Sequence, residues 1–235
     1  MIHQKQADKV AIVGMAPSTR DQAPFKDTSF EIWACNEMYQ FIPRITVLFE
    51  IHDREEYRAK KRNPHHLQWL RENKTIPVYT TLAVPDIPMS IPYPWMEVIA
   101  KYGTYLTSTV SLQLCLALHM EYREIHLYGV DMASEHEEYS LQRSSCEYFL
   151  GYIKGLFEGR GWPILYVPPE SALLKSAFVY GRDSTEKFIL AVRSLQKDFD
   201  VLKAEAEKNM LTYRDEMNIY KGAGMAVGKI KKMGL

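Results

Sequence analysis

The segment from Lys9 to Gly14, KVAIVG, constrains the fold more than any other part of the chain. It is short, apolar and rich in β-branched residues, and it stops at a glycine. This pattern is typical of a buried parallel strand that leads into a tight turn. Parallel strands are connected by crossovers that cover the faces of the sheet, so the segment predicts an α/β fold.

Further apolar runs indicate more strands, at Phe30 to Cys35, Ile45 to Ile51, Ile76 to Tyr79, Glu124 to Asp131 and Ile164 to Val167. Helices are predicted between them, at Arg54 to Asn73, Thr107 to Met120 and Glu147 to Glu158, with a short one at Ser171 to Lys175. The proline-rich stretch from Val84 to Pro94 predicts a loop or lid. Alternating strands and helices predict a doubly wound, mostly parallel, Rossmann-like sheet over residues 1–180.

Residues 184–220 have a different pattern. Apolar residues recur there at steps of three and four, and these are Leu195, Phe199, Leu202, Ala206, Met210, Tyr213, Met217 and Tyr220. Such a stripe predicts a long amphipathic helix that covers its own domain or pairs with another copy. Its length favours self-association into a homo-oligomer. The tail, residues 221–235, is expected to be flexible.

Charge and cysteine content exclude several classes of protein. Lys+Arg and Asp+Glu both number 29, so the net charge is zero and a strongly basic surface for nucleic acid is not expected. The three cysteines form no CxxC pair, which argues against a disulfide framework or a structural zinc site. No signal peptide or membrane span is recognisable, so we expect a cytoplasmic protein without a membrane partner.

The loop from Gly14 to Thr19 is the first candidate for ligand binding. Gly14 lets the backbone approach a ligand, the following amides can point at phosphate oxygens, and Ser18 and Thr19 add hydroxyl groups. A side chain at Gly14 is expected to block the ligand without unfolding the domain. The spacing is neither GxGxxG nor a Walker loop. A purely structural glycine is the alternative.

Polar residues at other predicted strand and helix ends are further candidates. Asn36 suits a base or ribose edge, or caps its strand in an Asx turn. Glu50 to Asp53 could bind substrate, transfer protons or hold a metal, or form a solvated strand end. The hydroxyls of Thr107, Ser108 and Thr109 begin a helix, where they cap it or help its amides to hold an anion.

The predicted loop after Gly129-Val130-Asp131 gathers the most varied polar groups. It contains Asp131, His136, Tyr139, Gln142 and Arg143. We expect Asp131, His136 and Arg143 to face the reacting groups, with His136 as the candidate base and Arg143 offsetting phosphate charge. A solvated loop is the alternative.

Four segments together, VAIVGMAPS, FEIWACNEMY, TSTVSLQLCLALHMEYREIHLYGVDMA and ILYVPPESALLK, occur in an order that resembles a known superfamily. This Rossmann-like superfamily contains the bacterial family 42 sialyltransferases. The chain also resembles the related DUF115 proteins, including archaeal 6-hydroxymethylpterin diphosphokinases, and uncharacterised phage proteins. The resemblance covers about residues 9 to 175. It implies that a CMP-sugar donor is cradled by Gly14, Pro17, Ser18, Asn36, Thr107, Ser108 and Thr109. The family's strand that ends in Gly-Val-Asp matches this chain at Gly129 and Asp131.

The same resemblance implies a catalytic histidine beyond Asp131. Gln142 or Arg143 falls near that position, and His136 is the nearest histidine. In the diphosphokinase branch, Mg²⁺ is held by carboxylates, for which Asp131, Glu50 and Asp53 are available.

The leading hypothesis is a transferase that uses a nucleotide-activated donor, most like a nucleotide-sugar-dependent glycosyltransferase acting on an unidentified acceptor. No cofactor is expected for it. The alternatives are a Mg²⁺-dependent diphosphokinase of the pterin type and a non-catalytic nucleotide-binding or assembly protein.

Overall fold

The computed structural model describes residues 2–52, 64–132, 137–176, 179, 181–182 and 185–232. The chain separates into two compact units, Met1–Lys175 and Ser176–Leu235. The predicted division at residues 180, 184 and 220 stays a prediction.

The first unit is built on one seven-stranded sheet whose strands are all parallel. Its strands are β1 Lys9–Val13, β2 Phe30–Cys35, β3 Val47–Glu50, β4 Val78–Thr80, β5 Ser90–Pro92, β6 Glu124–Tyr128 and β7 Ile164–Tyr166. Their order across the sheet is β5-β4-β3-β2-β1-β6-β7. The α/β fold class is therefore confirmed. Because the order reverses between β1 and β6, a topological switch point lies there, where open α/β sheets bind ligands.

In the part of the chain that the structure describes, four helices accompany the sheet and a fifth makes up most of the second unit. They are α1 Pro64–Glu72, α2 Trp95–Tyr102, α3 Thr109–His119, α4 Glu137–Arg160 and α5 Thr185–Lys232. Two short 3-10 turns, Arg20–Gln22 and Asn36–Gln40, follow β1 and β2. Within the described residues, no helix combines the length and the hydropathy needed to cross a membrane.

Successive residues of each central strand belong to two different cores. Val10 and Ile12 of β1 pack in the larger core, which also contains α3 and α4 residues such as Leu116 and Phe149. Ala11 and Val13 pack in the smaller core on the opposite face. Because both faces of these strands are buried, their sequences are continuous apolar runs rather than alternations of apolar and polar residues.

The structure corrects the prediction that Val84 to Pro94 contains no regular element. Ser90–Pro92 forms β5 at the edge of the sheet, where it pairs with β4. Pro92 is tolerated because an edge strand has one side that donates no hydrogen bonds to the ladder. The helix α2, Trp95–Tyr102, follows directly and was not predicted.

The helix boundaries also differ from the prediction. The helix α4 begins at Glu137 rather than Glu147, so Tyr139, Gln142 and Arg143 lie in its first turns and not in a loop. The helix α5 continues past the predicted end at Tyr220 to Lys232. The stretch from Lys221 to Lys232 contains three glycines but no proline, so every residue in it has a backbone N–H for the helix.

A buried carboxylate holds the N-terminal segment against the sheet. Glu31 of β2 accepts hydrogen bonds from Trp33 Nε1 (2.9 Å) and from the backbone N–H of Gln6, and its other contact is His3 Nε2 at 3.1 Å. The second ring nitrogen of His3 lies 2.8 Å from the hydroxyl of Tyr79. Burial raises the pKa of Glu31, but the hydrogen bonds from His3, Gln6 and Trp33 outweigh burial, so its pKa lies below the usual value.

We expect Glu31→Gln to alter the pH dependence of stability. A depressed pKa means that Glu31 contributes stability above about pH 4.5, the pKa of an ordinary glutamate, and that this contribution is lost as the pH falls through the lower folded-state pKa. The variant should be less stable than the wild type at pH 7 by about 1–3 kcal/mol, with a difference that shrinks toward pH 3.

Urea denaturation at pH 7, 5, 4 and 3 measures the difference, with Glu158→Gln at an exposed position as the matched control. If the free energies of unfolding of the wild type and Glu31→Gln differ by the same amount at every pH, the depressed pKa of Glu31 is contradicted.

Candidate functional site

The loops that leave β1 and β6 contact each other directly at the switch point. The Gly14 amide donates to the Tyr128 carbonyl (2.8 Å), and the Ala16 amide donates to the Gly129 carbonyl (2.9 Å). The Gly129 amide in turn donates to Thr19 Oγ1 at 2.7 Å. The two strand exits therefore form one hydrogen-bonded unit.

Both glycines of this unit are required by packing. A Cβ built on Gly14 would overlap the Gly129 carbonyl oxygen, and a Cβ on Gly129 would overlap the Gly14 carbonyl oxygen. Gly129 also has a φ of +63°, in the left-handed region that glycine favours. We expected a side chain at Gly14 to leave the domain folded, and this contact contradicts that expectation, because the obstruction is backbone that cannot move aside.

Ser18 and Asp131 face each other across the switch point. Ser18 Oγ donates to Asp131 Oδ2 at 2.6 Å, and Ser18 is exposed. The other carboxylate oxygen of Asp131 accepts from the Ala172 amide at 3.1 Å. The residue after Asp131, Met132, has a φ of +45°, which is unusual for a side chain of its size. We call Ser18 and Asp131, with Thr19, Gly14 and Gly129, the switch-point cluster; Pro17 lies exposed in the same loop.

The segment after β7 is bound to this cluster through side chains. Ser171 Oγ donates to the Val130 carbonyl at 2.9 Å, and the Leu174 amide donates to Glu147 Oε1 at 3.0 Å. The amides of Ala172, Leu173 and Leu174 are all bonded to side chains rather than to carbonyls four residues earlier. The short helix predicted at Ser171 to Lys175 is therefore absent, and turns take its place.

Arg143 lies in α4 and contacts the same segment. Its guanidinium donates to the Ala172 carbonyl (2.8 Å) and to the Glu147 carboxylate (3.0 Å). In this position Arg143 holds the segment after β7 against α4. His136, the candidate base, lies outside the described residues, as does Asp53.

A second group of polar side chains lies where β2 and β3 end. His52 Nε2 lies 3.0 Å from Asn36 Oδ1 and 3.8 Å from Glu50 Oε1. Glu50 Oε2 is 2.7 Å from His66 Nε2, and both of these side chains are fully buried. The ring of Tyr39 stacks on that of His66, with its hydroxyl 3.3 Å from His66 Nδ1. We call these five residues the β3-end cluster.

The β3-end cluster forms one ordered chain of hydrogen bonds. With Glu50 ionised, His66 donates from Nε2 and accepts from the Tyr39 hydroxyl at Nδ1. Burial raises the pKa of Tyr39, which keeps its phenol neutral and able to donate. Asn36 has a φ of +54°, a strained conformation that asparagine tolerates better than most residues. The chain of bonds fixes Glu50 beside His52, which keeps partial access to solvent.

The start of α3 lies at the same edge of the sheet. Gln113 in its second turn donates to the Ala34 carbonyl at the end of β2 (3.3 Å). Ser108 caps the helix by accepting from the Ser111 amide (3.1 Å), and Thr107 Oγ1 donates to the Leu141 carbonyl in α4 (2.9 Å). Thr109 is the first helical residue and is half-buried. Capping thus accounts for the Ser108 hydroxyl, and the N-terminal amides of α3 remain oriented toward the edge.

The strand ends that carry the two clusters are close neighbours. From β3 to β6 the sheet order crosses β2 and β1, which is three strand spacings or about 14 Å.

Sequence reasoning identified Asn36, Glu50, His52 and Asp131, since parallel strands all end at one edge. It missed His66 and Tyr39, which come from α1 and a 3-10 turn. The sequence signal that could have identified His66 is the pair His65-His66, which directly follows Pro64.

The described part of the chain offers no arrangement of side chains for binding a metal. Within the ranges that the structure describes, no group of three His, Cys, Asp or Glu side chains is placed to hold a metal ion. A groove between α2 and α4, lined by Tyr102, Tyr148 and Tyr152, includes none of the strand-end residues. We place the candidate site at the strand ends because the switch point and both polar clusters lie there.

Comparisons with known proteins give structural neighbours only. No protein-family model and no curated protein sequence match the chain. The sialyltransferase Cst-I of Campylobacter jejuni superposes with a TM-score of 0.47 at 12% identity, covering 86% of this chain and 98% of that one. CstII from Campylobacter jejuni, solved with CMP-3FNeuAc, gives 0.45 at 16% identity, covering 73% and 88%. Nothing among the matches links the chain to DUF115 or phage proteins.

We expect Gly129→Ala to destabilise the protein more than Gly161→Ala does. Gly129 and Gly161 both have positive φ, but a Cβ on Gly161 meets no atom within 4 Å, whereas Gly129 is packed against backbone. The conformational cost is about 1–2 kcal/mol at either position. Overpacking should add about 1–3 kcal/mol at Gly129.

Urea denaturation measures both free energies of unfolding. Gly155→Ala, in the exposed part of α4 with open space around it, should instead stabilise the protein by about 0.5–1 kcal/mol. Equal losses for Gly129→Ala and Gly161→Ala would show that the contact between the strand exits is unimportant.

Proposed function

We propose that this protein is a transferase that binds a nucleotide-activated donor along the carboxyl edge of its sheet. The observation that carries the proposal is the exposed hydrogen bond between Ser18 and Asp131 across the switch point, where open α/β sheets bind their ligands. A nucleotide-linked sugar is the donor that we favour.

The chemistry of the surrounding groups matches the parts of such a donor. The carboxylate of Asp131 can accept hydrogen bonds from ribose or sugar hydroxyls, as acidic residues do at switch points. The amides at the start of α3 and the Ser18 hydroxyl suit the phosphate. The amide of Asn36 offers both a donor and an acceptor to the base or ribose edge.

We further propose that His52 is the proton-transfer group and Glu50 the residue that positions it. A hydrogen bond from His52 Nε2 to Asn36 Oδ1 (3.0 Å) fixes the orientation and the tautomer of the ring. The acceptor hydroxyl would attack the anomeric carbon and give its proton to His52, while the nucleotide leaves with its phosphate. Glu50, held by His66, would stabilise the imidazolium that forms.

Arg143 and Asp131 complete the proposed arrangement. The Arg143 guanidinium would act by fixing the segment after β7, whose Ala172 amide in turn orients the Asp131 carboxylate. The role first expected of His136 stays a prediction.

We expect nucleotide binding to depend on Ser18 and Asp131. A thermal-shift and calorimetric screen of CMP, CDP, UDP and GDP, each with and without Mg²⁺, should identify a ligand that raises the melting temperature. Ser18→Ala and Asp131→Asn should each weaken its binding by about tenfold, since each loses one hydrogen bond to the ligand or to the groups that hold it.

Ser29→Ala and Asp86→Asn, at exposed positions away from the strand ends, are the matched controls. Full affinity in both Ser18→Ala and Asp131→Asn would refute the switch-point site. Binding without turnover of any nucleotide sugar would favour the non-catalytic alternative. Turnover of ATP that requires Mg²⁺ would favour the diphosphokinase.

We expect His52→Gln to remove turnover while leaving binding intact. Release of nucleotide from CMP-, UDP- or GDP-linked sugars should fall by about 10²–10⁴-fold, because the positioned base is lost. The dissociation constant of the nucleotide should stay within about threefold. The control is His65→Gln, one residue from His66 and exposed on α1.

The Glu50→Gln variant tests the positioning role separately. Without the carboxylate the imidazolium is less stable, so the acidic limb of the pH–rate profile should move to lower pH. An unshifted profile would contradict the role of Glu50, and an unchanged rate in His52→Gln would remove His52 from the mechanism.

A further inference from the structure

The helix α5 presents a long apolar stripe of exposed side chains. Every residue that the structure describes from Lys187 to Arg214 is exposed. Large apolar side chains on the helix are among them, with Phe199 52% exposed and Leu202 60%. Stretches of exposed apolar surface this long mark interaction sites in soluble proteins.

The stripe follows a heptad pattern. Its a positions are Val192, Phe199, Met210 and Met217, and its d positions are Leu195, Leu202, Tyr213 and Tyr220. One four-residue insertion at Ala206 separates the two halves, which is a stutter that locally unwinds a supercoil without ending it. From Val192 to Tyr220 the stripe is about 42 Å long at 1.5 Å per residue.

The residues that flank the stripe on its two sides differ in charge. The e positions on one flank are Gln196, Lys203, Arg214 and Lys221, so three of the four are basic. The g positions on the other flank include Ala191, Asp198 and Asn209, and none of these is basic. The asymmetry matters because e and g residues set the partner and the orientation in coiled coils.

This asymmetry favours one orientation of the pair. In a parallel pair each g residue faces the e residue five positions later in the partner helix, which brings Asp198 opposite Lys203 and Asn209 opposite Arg214. In an antiparallel pair e residues face e residues, so basic side chains would oppose one another. Val192 at a with Leu195 at d is, in addition, the combination that favours two strands.

We propose that α5 pairs with α5 of a second copy of this chain as a parallel, in-register, two-stranded coiled coil. The partner is a second copy because the two flanks of one helix complement each other. Both first units are then joined to the same end of the coiled coil. The proposal does not depend on the activity of the first unit.

Sedimentation equilibrium and light scattering of the full chain test the pairing. The expected mass at micromolar concentration is twice the 27.3 kDa of one chain. The double variant Leu195→Asp/Leu202→Asp should be monomeric, because charges replace two adjacent d positions. Val201→Asp is the matched control, since Val201 is 52% exposed but lies at a c position beside the stripe, and it should remain a dimer.

Melting of the first unit, followed by tryptophan fluorescence, distinguishes dissociation from misfolding, because all four tryptophans precede Ser176. An unchanged melting profile is expected for Leu195→Asp/Leu202→Asp. A monomeric wild type, a trimer or tetramer, or dissociation of Val201→Asp as complete as that of the double variant would overturn the proposal.

Cross-linking and charge reversal test the orientation. In a parallel, in-register pair, Leu202→Cys brings two thiols together, so mild oxidation should give a covalent dimer far faster than it does for the wild type. Lys203→Glu should weaken the dimer at least severalfold, and Asp198→Lys in the same chain should restore it. No cross-linking of Leu202→Cys above the wild-type background, or a tighter dimer in Lys203→Glu, would overturn the parallel arrangement.

Discussion

The contact between the backbones of Gly14 and Gly129 is the constraint on which the site depends. These residues leave the two adjacent strands β1 and β6, from which the chain turns toward opposite ends of the sheet. Hydrogen bonds from Gly14 to Tyr128 and from Ala16 to Gly129 join the two exits before they diverge. Only because the exits are joined can Ser18 reach Asp131, so a structural contact fixes the geometry of the candidate site.

Short-range pattern predicted the centre of the sheet well and its edge poorly. The bounds of β2 were predicted correctly from FEIWAC, because residues buried on both faces leave a continuous apolar run. At the edge, Ser90–Pro92 is only half-buried and carries a proline, so nothing in its own composition distinguishes it from a loop. Its pairing with β4 makes it a strand, and such pairing depends on residues distant in sequence.

The sequence predicted those residues of the candidate site whose position follows from the strand topology alone. Asn36, Glu50 and Asp131 each follow a predicted strand, and all parallel strands end at one edge. The partners of these residues were not predictable. His66 reaches Glu50 from a separate helix, and the Ala172 amide reaches Asp131 from beyond β7, so that segment forms turns rather than a helix. Hydrogen bonds between elements decide these details, and they leave no periodic signal in the sequence.

The different burial of the two clusters suggests a division of roles at this edge. Ser18 is exposed and Asp131 half-buried, so a ligand can compete for their hydrogen bond at small cost. Glu50 and His66 are fully buried and bonded to each other, and separating them would leave a charged group without its partner in the interior. The Glu50–His66 pair is therefore the rigid part of the edge, and the partly solvent-accessible imidazole of His52 lies beside it. A proton-transfer group held in a fixed position beside an adaptable binding surface is the arrangement that the proposed transferase would use, because reacting groups must be held in the right geometry for transfer.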